Sequence, residues 1–151
     1  MSRRAYSAED TVTIAAAGTP DTCIAVIGSA ILMLEIYDIL FGMTSTPADQ
    51  QCEWEVRHFT ADGTGDDVTP RQLDANIIDA TATAKGNYGT EPTYAGIALV
   101  RLGLHQRSSF RWVARPGSEL ITKSAAGDGI GSAVDVTSGT PTGACTILFS
   151  E

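Results

Sequence analysis

The sequence predicts an all-β, single-domain β-sandwich of jelly-roll-like build. Three observations carry the prediction. Residues 51–60, QCEWEVRHFT, alternate with period two: Cys52, Trp54, Val56 and His58 on one side, Glu53, Glu55, Arg57 and Phe59 on the other, the mark of a half-buried strand. Short apolar segments recur between turns built from glycine, proline, aspartate and threonine. No stretch outside residues 30–43 has a convincing helical period. With 151 residues the chain is one ordinary domain, able to bury roughly two thirds of the surface its unfolded form exposes, and needs no metal or disulfide to fold.

Residues 1–9, MSRRAYSAE, read as an amino-terminal arm, and residues 10–151 as the sandwich. The arm's two arginines lead into Glu9 and Asp10 where a secretory leader needs its apolar core, so no signal peptide is expected. DTVTIAAA (residues 10–17) and CIAVIGS (23–29) are the first strand candidates. AILMLEIYDILFGM (30–43) follows. Counted from Cys23 it makes about twenty largely apolar residues, the length of a membrane span. Glu35 and Asp38 would lie inside that span, each costing roughly 2.5 to 3.5 kcal/mol at its centre, so no membrane segment is expected. A helix would place the two acids on one face, but the flanking strands and the turn GMTSTPADQ favour a long strand, bulged near Glu35 to Asp38 where the alternation slips.

From Ala61 the composition changes. ADGTGDDVTPRQLD reads as a surface loop, and ATATAKGNYGTEPTY (residues 80–94) as a second loop or an edge strand. Residues 97–104 and 110–114 are apolar segments about an HQRSS turn, and Pro116 with Gly117 suits a type II turn. Residues 131–137 and 144–149 close the chain as strands. The expected core includes Trp54, Val56, Ile97, Leu99, Leu102, Trp112, Ile147 and Phe149.

The formal charge is −8, from eighteen acids against ten bases, which repels polyphosphate, so no nucleic-acid partner is expected. Eight of the ten bases are arginine, the cation enriched at protein interfaces. Cys23, Cys52 and Cys145 are odd in number, widely spaced and far from any metal-ligand pattern, and read as buried apolar residues.

Catalytic signatures are lacking, and no cofactor is expected. GDGIGS (residues 127–132) is followed by a strand rather than the helix a dinucleotide loop requires, and reads as a flexible turn. Asp62, Asp66 and Asp67 could meet a calcium ion, but DGTGDD lacks the closing glutamate of a calcium loop, and a solvated loop is the simpler reading. His58 and His105 are the only histidines, and no serine sits in a nucleophile motif. Glu53 and Glu55 share a strand face, yet paired-carboxylate chemistry would need a cleft. Trp54, Trp112, Tyr6, Tyr37, Tyr88 and Tyr94 could form a sugar platform, although aromatics in alternating strands more often fill a core.

Taken in order, RAYSAEDTVTIAAAGTPDTCIAVIGS, ILFGMTSTPAD, EVRHFTADGTGDDVTPRQLD, ATATAKGNYGTEPTYAG, FRWVARPGSELI and the final FSE resemble the small proteins that decorate or cement the heads of tailed bacteriophages. VTPRQLD and RPGSELI weigh most, and ANIIDATATA departs from the pattern by placing Ile77 and Ile78 in a loop expected to be polar. The resemblance implies a jelly-roll-like homotrimer seated on the outer capsid surface of the virion, bound to the major capsid protein and assembled in the host cytoplasm. Its alternative is a tail-associated receptor- or carbohydrate-binding β module. Under the first reading Arg3, Arg4 and Tyr6 of the arm are the expected partner-binding residues, reaching a neighbouring subunit or the shell.

Overall fold

The computed structural model describes residues 4–151. Its elements are all β: β1 (Ala5–Thr13), β2 (Asp21–Ile27), β3 (Glu35–Ser45), β4 (Gln51–Ala61), β5 (Thr64–Val68), β6 (Arg71–Gln72), β7 (Thr83–Thr90), β8 (Thr93–Tyr94), β9 (Val100–His105), β10 (Phe110–Val113), β11 (Leu120–Ile121), β12 (Gly129–Val136) and β13 (Thr142–Ser150). One sheet runs β10-β3-β13-β1-β6, with β11 also on β3. The other runs β5-β7-β2-β12-β4-β8, with β9 also on β4. The pairings are antiparallel.

Eight of these strands wind as a jelly roll. β1-β13-β3-β10 face β2-β12-β4-β9, and the chain crosses to the other sheet at each step along these eight except from β4 to β9. The segment between β4 and β9 is an insertion. It supplies β5 and β7 beyond β2 and β6 beyond β1, so it extends both sheets on the same side. Only two residues separate β4 from β5, although three strands lie between them in the sheet, so the chain crosses the outer face here. Beneath the crossing sits a small second core of Ala25, Ile27 and Phe59, packed by Tyr88 and Tyr94.

The main core lies between the sheets, where the inward residues of each strand meet: Tyr6 and Ala8, Ile24 and Val26, Ile36, Ile39 and Phe41, Cys52, Trp54 and Val56, Ile130 and Val134, Cys145, Ile147 and Phe149. Phe41 and Trp54 meet with ring centroids 5.3 Å apart. The expected bulge in the long apolar stretch is present. Leu148 pairs with Asp38 but Phe149 pairs with Ile36, leaving Tyr37 as the extra residue. The bulge shifts the alternation by one, so Ile36 and Ile39 both face inwards, and this is why the sequence reads as an unbroken apolar run. The strand begins at Glu35 rather than Ala30, after a tight turn closed by reciprocal hydrogen bonds between Ser29 and Leu32.

Four expectations are corrected. The boundary drawn after residue 9 falls inside β1, which pairs with β13 from Ala5↔Ser150 to Thr13↔Thr142, so residues 5–9 belong to the sandwich. The segment from Ala61 to Asp74 is not one surface loop, because it holds β5 and β6, and residues 80–94, read as a loop or an edge strand, hold β7 and β8. GDGIGS is not one flexible turn: Gly127 takes the turn with φ +83°, while Gly129 and Gly131 lie within β12. Of the expected core, Trp54, Val56, Ile147 and Phe149 are buried, and Leu102 and Trp112 are half-buried at its margin. Ile97 is 90% exposed and Leu99 40% exposed, because the chain swings away from β4 between the Ala95 bond to His58 O and the Leu99 bond to Val56 O.

Candidate functional site

Each residue type singled out in the sequence has a definite place. Tyr6 is fully buried, stacks on Phe149 at 5.7 Å and donates from its hydroxyl to the Ile78 carbonyl at 3.0 Å. Its ring fills the core, so it cannot reach a partner as an arm residue would. This corrects the reading of Tyr6 as partner-binding. Arg4 is exposed, and its carbonyl accepts from the Glu151 amide. Arg3 lies outside the described residues.

Asp62 is drawn away from Asp66 and Asp67. It accepts from Lys85 Nζ at 2.6 Å and from the Tyr88 hydroxyl at 3.2 Å, whereas Asp66 accepts from Asn87 Nδ2 at 2.7 Å. The described residues contain no group of three or more His, Cys, Asp or Glu side chains arranged to hold a metal. The three cysteines are free and buried, and burial pushes the Cys145 thiol up to about 12, which disfavours a reactive thiolate.

His58 is on β4 near its end at Ala61, while His105 closes β9 opposite Gln51, so the fold separates the two imidazoles along the sheet. Burial, then the Lys123 charge, holds His58 below its ordinary range. Glu53 and Glu55 are bridged by Arg101, and Glu55 also meets Arg57 at 3.4 Å. The aromatics do not form a surface platform. Tyr6 and Trp54 are buried, Trp112 packs at the core margin, and Tyr88 and Tyr94 pack the second core.

A second crossing segment, the link from β7 to β8, passes back over β2, β12 and β4, and residues 91–96 are tied down there by a polar cluster. The Glu91 carboxylate accepts from the Thr22 amide and hydroxyl, and the Thr22 and Tyr94 hydroxyls lie 2.6 Å apart. Arg57 stacks over the Tyr94 ring at 5.5 Å and donates to the Gly96 carbonyl at 2.7 Å. Burial raises the Glu91 carboxyl above its ordinary range, against the Thr22 hydrogen bonds that lower it, with the Asp21 charge raising it further. A carboxyl raised by folding contributes stability that is complete below the unfolded value, about pH 4.3, and is lost as pH rises through the folded value. Lowering the pH from about 7 to about 4 should therefore raise the thermal midpoint more in the native chain than in Glu91→Gln. Parallel midpoint curves for the two would show that folding does not raise the Glu91 carboxyl.

The two ends of the sandwich differ in kind. Loops 14–20, 46–50, 106–109 and 137–141 form one end and carry none of the exposed large apolar residues. Loops 28–34, 73–82 and 122–128 form the other. There Ile31 is 92% exposed at the Ser29–Leu32 turn, and Met33, Leu73 and Ile78 are also exposed. These loops are fastened rather than loose. Thr122 Oγ1 accepts from the Leu34 amide at 2.9 Å, Ser124 Oγ donates to the Ala30 carbonyl at 2.8 Å, and the Glu151 carboxylate accepts from the Thr81 and Ala82 amides at 3.1 Å. A fixed end that carries four of the ten exposed large apolar residues is a surface suited to a partner. Sequence reasoning flagged only Ile78 of this set, because loop residues become one surface only when the topology collects them.

No protein-family model matches the chain, and neither a curated protein nor a solved structure matches it.

Proposed function

We propose that the protein is a structural virion component, a decoration or cement protein that stabilises the head shell of a tailed bacteriophage by binding the major capsid protein, and that it acts as a homotrimer. The observation that carries this reading is the apolar loop end formed by Ile31, Met33, Leu73 and Ile78. Four large side chains held outwards lower the free energy of the domain when a partner covers them. The resemblance spread along the sequence supplies the class of partner, and the net charge of −8 suits an outer surface better than one facing packaged DNA. The jelly-roll fold is compatible with the reading but carries no function by itself.

The test is location and retention. Antibody raised against the purified protein should label virion heads in electron micrographs, and the variant Ile31→Asp with Ile78→Asp should be retained on heads at least about tenfold less than the native chain. Label confined to the tail tip would replace this reading with the receptor- or carbohydrate-binding one. Undiminished retention of the variant would remove the loop end as the docking surface.

A further inference from the structure

The two lateral sides of the sandwich are as unlike as its ends. On one side lie β9 and β10, edge strands of the two sheets joined by the turn at residues 106–109. Ile97, Leu99, Phe110 and Val113 are exposed here, four of the ten exposed large apolar residues. Arg101, Arg107 and Arg111 stand among them. Arg101 and Arg111 bind Glu55 and Asp38, yet their side chains remain 58% and 64% exposed, which leaves outward N–H donors on guanidinium groups that have five each. Arg107 is exposed on the turn and takes part in none of the ion pairs among the described residues.

The backbone of this side is open as well. Gln106 N bonds to Gln50 O, and the β4–β9 register then alternates, so the N–H and C=O groups of Arg101, Gly103 and His105 point away from β4. Neither β9 nor β10 contains proline or lysine, the usual blunting residues of an edge.

On the opposite side β6 covers only Tyr6 and Ser7 of β1, so β1 is open from Ala8 onwards. Between it and β5 runs a groove of about 620 Å³ lined by Asp10, Asp21, Asp66 and Asp67 with no cation in its wall. Lys85 of β7 is committed to Asp62, and Arg71 lines the adjoining groove beside Val68 rather than this one.

We propose that these two sides are the halves of one contact between copies of this chain: the apolar, arginine-bearing β9–β10 edge of one copy seats against the acidic β1–β5 groove of the next. Charge complementarity selects this occupant. A two-fold contact would set arginine against arginine or carboxylate against carboxylate, whereas the head-to-tail arrangement pairs each with its opposite and covers the exposed apolar residues. Such a contact is heterologous, so it closes into a ring when the rotation permits. The inference deepens the homotrimer of the proposed function by naming its contact, and rests on that reading only for the number of copies.

The test is sedimentation of the purified chain without heads, so its outcome is separate from capsid binding. The native chain should associate at about 100 micromolar or below, and about 1 M salt should weaken the association. Arg107→Glu, and separately Asp66→Arg with Asp67→Arg, should each raise the dissociation constant at least about tenfold, and one chain carrying all three changes should regain most of the loss. Ile97→Ser, which removes apolar area without adding charge, should weaken association and should not be rescued by the groove changes. Melting curves of each variant establish that it is folded. A native chain that stays monomeric over this range, swaps that leave association unchanged, or a combined chain no tighter than either swap would overturn the contact.

Discussion

A chain lacking residues 2–6 will melt well below the full chain, and Tyr6→Ala alone will cost about 3 to 5 kcal/mol. The physical reason is the position of β1. It lies between β13 and β6, pairs residue for residue with the closing strand, and turns Tyr6 and Ala8 into the core. Tyr6 brings a fully buried ring against Phe149 and a hydroxyl bonded to the Ile78 carbonyl, so truncation opens a cavity and leaves a carbonyl without its donor. Tyr6→Phe keeps the ring and loses the hydroxyl, and should cost about 1 kcal/mol. For a domain whose whole stability is about 5 to 15 kcal/mol, the first loss is a large fraction and the second a small one. Urea unfolding of the three chains measures both. A Tyr6→Ala loss below about 1 kcal/mol would mean that the first strand contributes little to the sandwich.

The amino-terminal segment was hard to read because its signal is carried by few atoms. In AYSAEDTVT the inward positions begin with one tyrosine and one alanine, and the outward positions are Ser7, Glu9, Thr11 and Thr13, so the apolar alternation is thin. The insertion is harder still. β5, TGDDV, and β7, TAKGNYGT, are held by backbone pairing at a sheet edge more than by buried side chains, and glycine with aspartate reads as loop. Where burial decides the structure, the sequence was legible. QCEWEVRHFT became β4, and the slip in the long apolar run became the Tyr37 bulge. Ile97 and Leu99 show the converse, since apolar residues in an apolar segment lie outside when the strand they join is interrupted. The candidate surfaces follow the same logic. The excess of arginine over lysine was visible in composition, but only the sheet order places Arg101, Arg107 and Arg111 on one side and Asp66 and Asp67 on the other.

Gly129→Ala is expected to cost about 3 kcal/mol, and Gly131→Ala markedly less, although the two glycines are two residues apart on one strand. Both lie on β12 beneath the crossing segment. At Gly131 the missing side chain makes room for Tyr94 of the crossing segment, and at Gly129 it makes room for the sheet's own neighbours. A Cβ at Gly129 would fall inside van der Waals contact of the Val26 carbonyl oxygen and of the Phe59 ring. The carbonyl belongs to β2 in the sheet, and Gly129 itself pairs with both Ile27 and Phe59, so nothing there can yield without breaking the ladder on two sides. A Cβ at Gly131 would meet chiefly the Tyr94 hydroxyl, at 2.5 Å. That atom is the far end of a side chain and can withdraw, at the expense of its contact with the Thr22 hydroxyl. The two variants therefore separate two effects. Gly129→Ala should lower global stability in urea unfolding. Gly131→Ala should leave it within about 1 kcal/mol while loosening the crossing segment, seen as faster amide exchange at residues 91–95. Equal losses in the two variants would mean that the segment's seat on the sheet, rather than the β2–β12–β4 ladder, is what the glycines protect.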